Sequence, residues 1–157
     1  MPRLKQAAAA SADTGQADLF VHSMPGHAIR RVQQVAVRLF AEGVSGDITP
    51  VQFAALATLA DCPGIGQAAL AAMIGYDRAT IGGVIDRLQN KGLVDRIADP
   101  NDRRSNILTL TSAGRSALAL ARPQVEAVQQ KLLEPLDAEE RAQYARMCQK
   151  ILGAFGG

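Results

Sequence analysis

The chain has no tryptophan, and only 4% of its 157 residues are aromatic, four Phe and two Tyr. Aromatic-rich sheets and barrels draw on those residue types. Their scarcity, beside abundant Ala, points to a core of Ala, Leu, Val and Ile carried on helices. Cysteine is nearly missing as well. Cys62 and Cys148 are too few and too distant for a disulfide framework or a metal-ligand cluster, and they read as small apolar residues in a reducing cytosol. No stretch approaches the roughly 18 consecutive apolar residues of a membrane span. The opening Met1-Pro2-Arg3-Leu4-Lys5-Gln6, followed by four Ala, is too weakly apolar for a signal-peptide core. A cytoplasmic protein that does not enter the membrane is expected. The motifs of catalysis are also missing: no phosphate-cradling glycine loop, no nucleophile elbow, no metal-ligand spacing. The expectation is therefore no enzyme, with no catalytic residue, cofactor or metal. Strong charge of one sign is absent too. With 17 Lys and Arg against 15 Asp and Glu, the net charge is +2, which neither demands nor excludes nucleic acid. Phosphates would have to be met by local clusters, such as Arg30-Arg31 and Arg103-Arg104.

What is present is helical punctuation. Residues 1–18 are rich in Ala, Ser, Gln and Gly, have little periodicity and read as a disordered tail. Residues 19–157 read as one domain. Ile29, Val32, Val35/Ala36 and Leu39/Phe40 recur at helical spacing over about 27–42. Thr49-Pro50 is a cap followed by a first-turn proline, opening a helix that Pro63-Gly64 ends. A short helix follows at about 67–74. Asp77 is the N-cap of the next, with Tyr76 and Ile81 placed for a hydrophobic staple and Asn90-Lys91-Gly92 as its stop. Two β-like runs, Leu93–Ile97 and Ile107–Leu110, flank a polar segment and predict a hairpin with a long charged tip. Thr111 or Ser112 caps a long helix to about 134, with a kink expected at Pro123. Asp137 and Glu140 form a capping box for a last helix, whose Tyr144, Met147/Cys148, Ile151 and Phe155 make one apolar stripe.

The predicted architecture is mainly α with a small β-hairpin wing, a winged helix-turn-helix with helical dimerisation arms. The dimerisation helices would cover about 26–43 and 112–157, and the DNA-binding lobe about 49–111. A recognition helix needs a packed inner face and an outer face of small and hydrogen-bonding groups. Ile81, Val84, Ile85 and Leu88 supply the first. Arg78, Thr80, Gly82, Gly83, Asp86 and Arg87 supply the second, with Ala79 beside them in the first turn, where such helices reach base edges. Arg paired to guanine is the commonest specific contact of this kind. Arg103 and Arg104 at the hairpin tip suit a narrow minor groove. Each feature alone is also what an ordinary solvated helix or loop would show; it is their succession that points to double-stranded DNA.

Asp99-Pro100-Asn101-Asp102-Arg103-Arg104, followed by Leu108-Thr109-Leu110-Thr111 and Gly114, resembles the wing signature of the MarR family. So does Tyr76-Asp77-Arg78-Ala79-Thr80-Ile81 leading to Leu88-Gln89-Asn90-Lys91-Gly92-Leu93-Val94. The resemblance implies a homodimer built from the first and the last two helices, pseudo-palindromic operators, and Asp102 as a structural acceptor for a nearby Arg. Pro25–Gln34 is similar to the first helix of members that sense aromatic carboxylic acids, and the whole chain resembles repressors of nicotinate catabolism most. Independently, His27, Arg31, Gln34 and Arg38 share one helical face, and His22 precedes it. Arg can hold a carboxylate bidentately and His can bond a ring substituent. The same residues also fit a solvated basic face or salt bridges across a dimer. The expected function is a repressor released by a small aromatic carboxylate, such as a hydroxylated nicotinate, bound between the dimerisation helices and the DNA-binding lobe. The alternative is a redox-sensing regulator of the same fold using Cys62 or Cys148.

Overall fold

A computed structural model of the chain describes residues 20–99 and 106–155. Six α-helices and one two-stranded sheet follow a single 3-10 turn, Phe20–Ser23. The helices are α1 (Pro25–Gly43), α2 (Pro50–Asp61), α3 (Gln67–Met73), α4 (Arg78–Asn90), α5 (Ser112–Leu132) and α6 (Ala138–Ala154); strands β1 (Val94–Ala98) and β2 (Asn106–Leu110) separate α4 from α5. The mainly helical class with a hairpin wing is the one expected, and every helix starts within two residues of its predicted position.

The helix starts are set by capping chemistry. Thr49 accepts from the Gln52 amide while the Gln52 side chain accepts from the Thr49 amide, a closed capping box. The Asp77 carboxylate accepts from the Thr80 amide at 2.8 Å and from its hydroxyl at 2.5 Å. These bonds to the ionised form hold the Asp77 carboxyl below the usual aspartate range. Asp137 and Glu140 close a second box at α6. The hydroxyl of Thr111 takes the Gly114 amide at the start of α5 and donates to the Gly92 carbonyl, so one side chain caps a helix and ties it to the turn after α4.

Pro123 does not interrupt α5, which runs unbroken from Ser112 to Leu132. Pro123 and Ala119, the residue whose carbonyl loses its amide partner, are both exposed, so water meets the freed group.

The hairpin is antiparallel, pairing Val94 with Leu110, Arg96 with Leu108 and Ala98 with Asn106. The sequence reading missed a third segment at its base. Ile65, between Gly64 and Gly66, bonds β2 through the Leu108 amide to the Ile65 carbonyl (2.9 Å), and a bridge joins Gly66 to Ile107.

Two cores hold residues 34–157 together. The larger gathers Leu56 and Leu59 of α2, Leu70 of α3, Ile81, Ile85 and Leu88 of α4, and Val94 and Leu108 of the hairpin, all essentially inaccessible to solvent. Burying side chains of this size is worth about 1.5–3 kcal/mol each, so α4 is fixed by its inner face while its outer face stays available. The second core joins Phe40 and Val44 at the end of α1 to Ala121, Val125 and Val128 of α5, with Phe53 edge-on to Phe40. Helix α6 buries no residue in this core; Tyr144, Met147, Ile151, Leu152 and Phe155 are exposed.

Candidate nucleic-acid interface

Helix α4 places the predicted outer face as expected at most positions. Arg78, Ala79, Thr80, Asp86 and Arg87 are exposed, while Ile81, Val84, Ile85 and Leu88 are buried. At 13 residues the helix is roughly 20 Å long, a rod suited to a major groove about 12 Å wide. Arg78 is its first residue, presented by the Asp77 cap. Next to it lies a cleft of about 380 Å³ lined by Gln67, Arg78, Arg96 and Asn106 among others.

The two glycines do different things. A Cβ on Gly82 would come 3.1 Å from the Gln67 side-chain nitrogen. Gly82 is half-buried, and its small size serves the packing of α4 against α3. Gly83 leaves room for the Arg87 guanidinium, which lies 3.7 Å from where its Cβ would be.

Three positions that sequence reasoning passed over organise this surface. The Gln67 side chain donates to the Arg78 carbonyl at 3.1 Å, docking the start of α3 onto the start of α4. Arg96 of β1 reaches back to α4, donating to the Asp86 carboxylate at 2.6 Å and to the Gln89 side chain at 2.8 Å. Asp86, read from sequence as part of the outer face, is thereby spent on fixing the wing root against α4. Lys91, just past α4, bonds the carboxylate of Asp47 at 2.8 Å and also its carbonyl. Only the alternation of polar residues on β1 hinted at Arg96. The other two pairings span 11 and 44 residues and leave no local signal. The wing-tip residues Asp102, Arg103 and Arg104 lie outside the described residues.

Among the described residues no helix is long and apolar enough to cross a membrane, and no cluster of His, Cys, Asp and Glu could hold a metal ion. Cys62, just past the end of α2, and Cys148 of α6 are free, half-buried thiols.

Known proteins decide the family. The sequence model described as MarR family matches residues 48–105, the stretch from the start of α2 through the wing tip. The transcriptional regulator HosA of Escherichia coli O111:H- is 35% identical over 108 residues, 69% of this chain and 80% of its own length. The chain belongs to the MarR family. It is a transcriptional regulator by that membership, as is its relative NicR of Pseudomonas putida, an HTH-type transcriptional repressor that is 30% identical over 128 residues, 81% of each protein.

Solved MarR-family structures superpose over most of the chain. The PcaV regulator of Streptomyces coelicolor, in complex with its natural ligand, gives a TM-score of 0.82 at 33% identity and covers 88% of this chain and 98% of its own. A MarR mutant from Escherichia coli complexed with operator DNA gives 0.79 at 32% identity, covering 87% and 99%. BpsR of Bordetella bronchiseptica, whose DNA binding is regulated by 6-hydroxynicotinic acid, gives 0.75 at 31%, covering 80% and 96%. These neighbours share the winged-helix architecture read from the sequence.

The residues expected to bind an effector lie on and before α1. His22 stacks on His27, with ring centroids 5.7 Å apart and planes 29° from parallel. The Arg30 guanidinium sits 3.4 Å from His27 Nδ1. Desolvation, then the positive charges of Arg30, His22 and Arg31, lowers the His27 pKa from its ordinary value. His27 Nε2 is buried and has no hydrogen-bond partner among the described residues. Arg30, which sequence reasoning had grouped only with the general basic charge, belongs to this cluster. Arg31, Gln34 and Arg38 are exposed further along α1. Arg38 sits 3.9 Å from Glu42 on the next turn, an exposed pair of small energetic weight.

Proposed function

We propose that the protein is a homodimeric repressor that binds a pseudo-palindromic operator through α4 and the wing, and releases it when a small aromatic carboxylate binds near His27. The observation that carries the DNA reading is the exposed first turn of α4: Arg78, Ala79 and Thr80 project from a capped helix whose other face is locked into the core. Gly82, Gly83 and Arg87 continue that face, and Arg103 and Arg104 supply the wing's cationic tip. The MarR relative held on operator DNA supports the assignment by its shared architecture.

The dimer reading rests on uncovered apolar surface. Ile29, Val32, Val35 and Val37 of α1 are exposed, as are Met147, Ile151, Leu152 and Phe155 of α6. Apolar patches of this kind mark interfaces, and a two-fold interface carries the same patch on both copies. Half-sites should then lie about one helical turn apart. Sedimentation at micromolar concentration and footprinting test the two statements; a stable folded monomer, or protection of one asymmetric half-site, defeats them.

The effector reading rests on His27 Nε2, a buried ring nitrogen without a partner among the described residues and beside several positive charges. An aromatic acid supplies both a partner for it and a carboxylate for Arg31, with His22, Gln34 and Arg38 the further candidate contacts. The BpsR relative, whose DNA binding responds to 6-hydroxynicotinic acid, supports that ligand class. A charge-assisted bond worth about 1.5–3 kcal/mol is of the size that shifts DNA affinity roughly 5- to 150-fold, provided it forms in one conformation only. Calorimetry with benzoates, cinnamates and nicotinates tests the site. Arg31→Ala and His27→Ala should keep operator binding and lose the response; undiminished ligand binding by both variants removes the site.

A further inference from the structure

We infer that Lys91 is a positioning residue for the recognition helix, one end of a polar strut that runs from α4 through the loop after α1 to α5. The inference rests on the proposed reading of α4 as the DNA-contacting helix.

The loop between α1 and α2 is held at two points by side chains distant in sequence. At one end Gln124 of α5 bonds Ser45 three ways: its carbonyl oxygen accepts from the Ser45 amide at 2.7 Å and from the hydroxyl at 3.0 Å, and its amide donates back at 2.8 Å. At the other, the Lys91 ammonium bonds the Asp47 carbonyl and, at 2.8 Å, the Asp47 carboxylate. That ammonium and its hydrogen bond hold the Asp47 carboxyl below the usual aspartate range.

Between the two anchors lies Gly46 at φ +89°, a left-handed conformation that strongly favours glycine. The loop therefore has a defined shape over the three residues that join Gln124 to Lys91.

Below the loop is open space. A cavity of about 430 Å³ lies among Asp47, Ile48, Lys91, Leu93 and Leu120, and Leu120 is 72% exposed. No side chain fills this gap, so here the polar ties add to the contact of Leu93 with Gly114 and the Thr111 bond to Gly92 in holding the end of α4 to α5. Lys91 is also the C-cap of α4, its amide bonding the Arg87 carbonyl. A pull on its side chain is thus transmitted to the last turn of the helix that carries Arg87. The inner face of α4 fixes its depth in the core, and the strut fixes its pitch about that face.

The rival role for Lys91 is a direct phosphate contact, and a mutant cycle separates the two. Lys91→Met and Asp47→Ala should each weaken operator binding about two- to fivefold, the range of a partly exposed ion pair. The double variant should be no worse than either single one, and the slope of affinity against salt should not change. Gln124→Ala should weaken binding in the same direction, and Lys91→Arg should restore it. A phosphate contact predicts the opposite pattern: a shallower salt slope for Lys91→Met, with Asp47→Ala and Gln124→Ala unaffected. That pattern, or four variants all binding like the wild type, overturns the inference. Amide exchange without DNA gives a second reading. Lys91→Met and Asp47→Ala should both speed exchange across residues 86–92 while leaving Leu56 and Leu59 protected, and unchanged exchange in both variants counts against the strut. Should the wild type bind no operator at all, the reading of α4 fails, while the exchange result still decides whether the strut exists.

Discussion

Replacing Gly114 by Ala is the sharpest test of how the wing is seated. Gly114 is buried in the first turn of α5, and a Cβ there would sit 2.0 Å from the Leu93 carbonyl oxygen, 3.0 Å from its carbon and 3.4 Å from Leu110 Cδ2. Carbon and oxygen in ordinary contact are about 3.3–3.6 Å apart, so the backbones must separate by more than an ångström. The Leu93 carbonyl cannot simply retreat, because it accepts the Thr111 amide at 3.1 Å. The Gly114 amide is meanwhile bound by the Thr111 hydroxyl at 2.9 Å, which in turn holds the Gly92 carbonyl at 2.7 Å. Overpacking of this kind costs up to about 3 kcal/mol. Loss of the cap adds about 1 kcal/mol, and the higher helix propensity of Ala returns about 1 kcal/mol. A net destabilisation of about 3 kcal/mol should lower the melting temperature by roughly 6–12 °C for a chain of this size. Urea and thermal melts at fixed protein concentration measure it, and the wing's tie to α5 should loosen with a matching loss of operator affinity. A Gly114→Ala protein within about 0.5 kcal/mol of wild type would refute the packing described here.

Other expectations follow from the same geometry. Arg96→Ala should weaken operator binding by freeing the wing root from Asp86 and Gln89, with a global stability loss of no more than about 1 kcal/mol because the pair is partly exposed; a larger effect on melting than on DNA titration would contradict it. Leu70→Ala, which empties a fully buried site between α3 and the core, should cost about 2–5 kcal/mol in urea unfolding. The lowered pKa of His27 leaves its ring neutral at pH 7 in the free protein. A bound carboxylate should raise that pKa, so binding takes up a proton and affinity rises as pH falls from neutral toward the pKa of the free ring. Calorimetry in buffers of different ionisation enthalpy reads the proton directly, and binding without proton uptake that is equally tight across this range argues against contact with His27.

The parts of the fold that were legible in the sequence are those whose cause lies within three or four residues. Thr49-Pro50, Asp77, Thr111 and Asp137 mark helix starts because a cap and its amide partner are local, and the buried face of α4 follows from the spacing of Ile81, Val84, Ile85 and Leu88. What escaped notice depends on residues brought together by the fold. Gly114 stands in the wing signature, but the carbonyl that forbids a side chain there belongs to Leu93. Asp86 carries no mark telling a DNA-facing carboxylate from one that anchors Arg96. The approach of the Gln67 side chain to Gly82 likewise leaves no local signal. The effector cluster was legible as residue types on α1, whereas the stacking of His22 on His27 depends on the 3-10 turn before the helix, which no periodicity announced.

Operator binding by wild type and Arg78→Ala, measured by fluorescence anisotropy over a range of salt concentrations, tests the central claim most directly. The DNA is the region upstream of the gene, set against an unrelated duplex. The wild type should prefer its operator by at least about a thousandfold, with affinity falling steeply as salt rises. Arg78→Ala should lose about 1–3 kcal/mol on the operator and little on unrelated DNA, so the preference narrows. Equal affinity of the wild type for both duplexes, or an Arg78→Ala protein that keeps the full preference, would contradict the assignment of α4 as the helix that reads DNA.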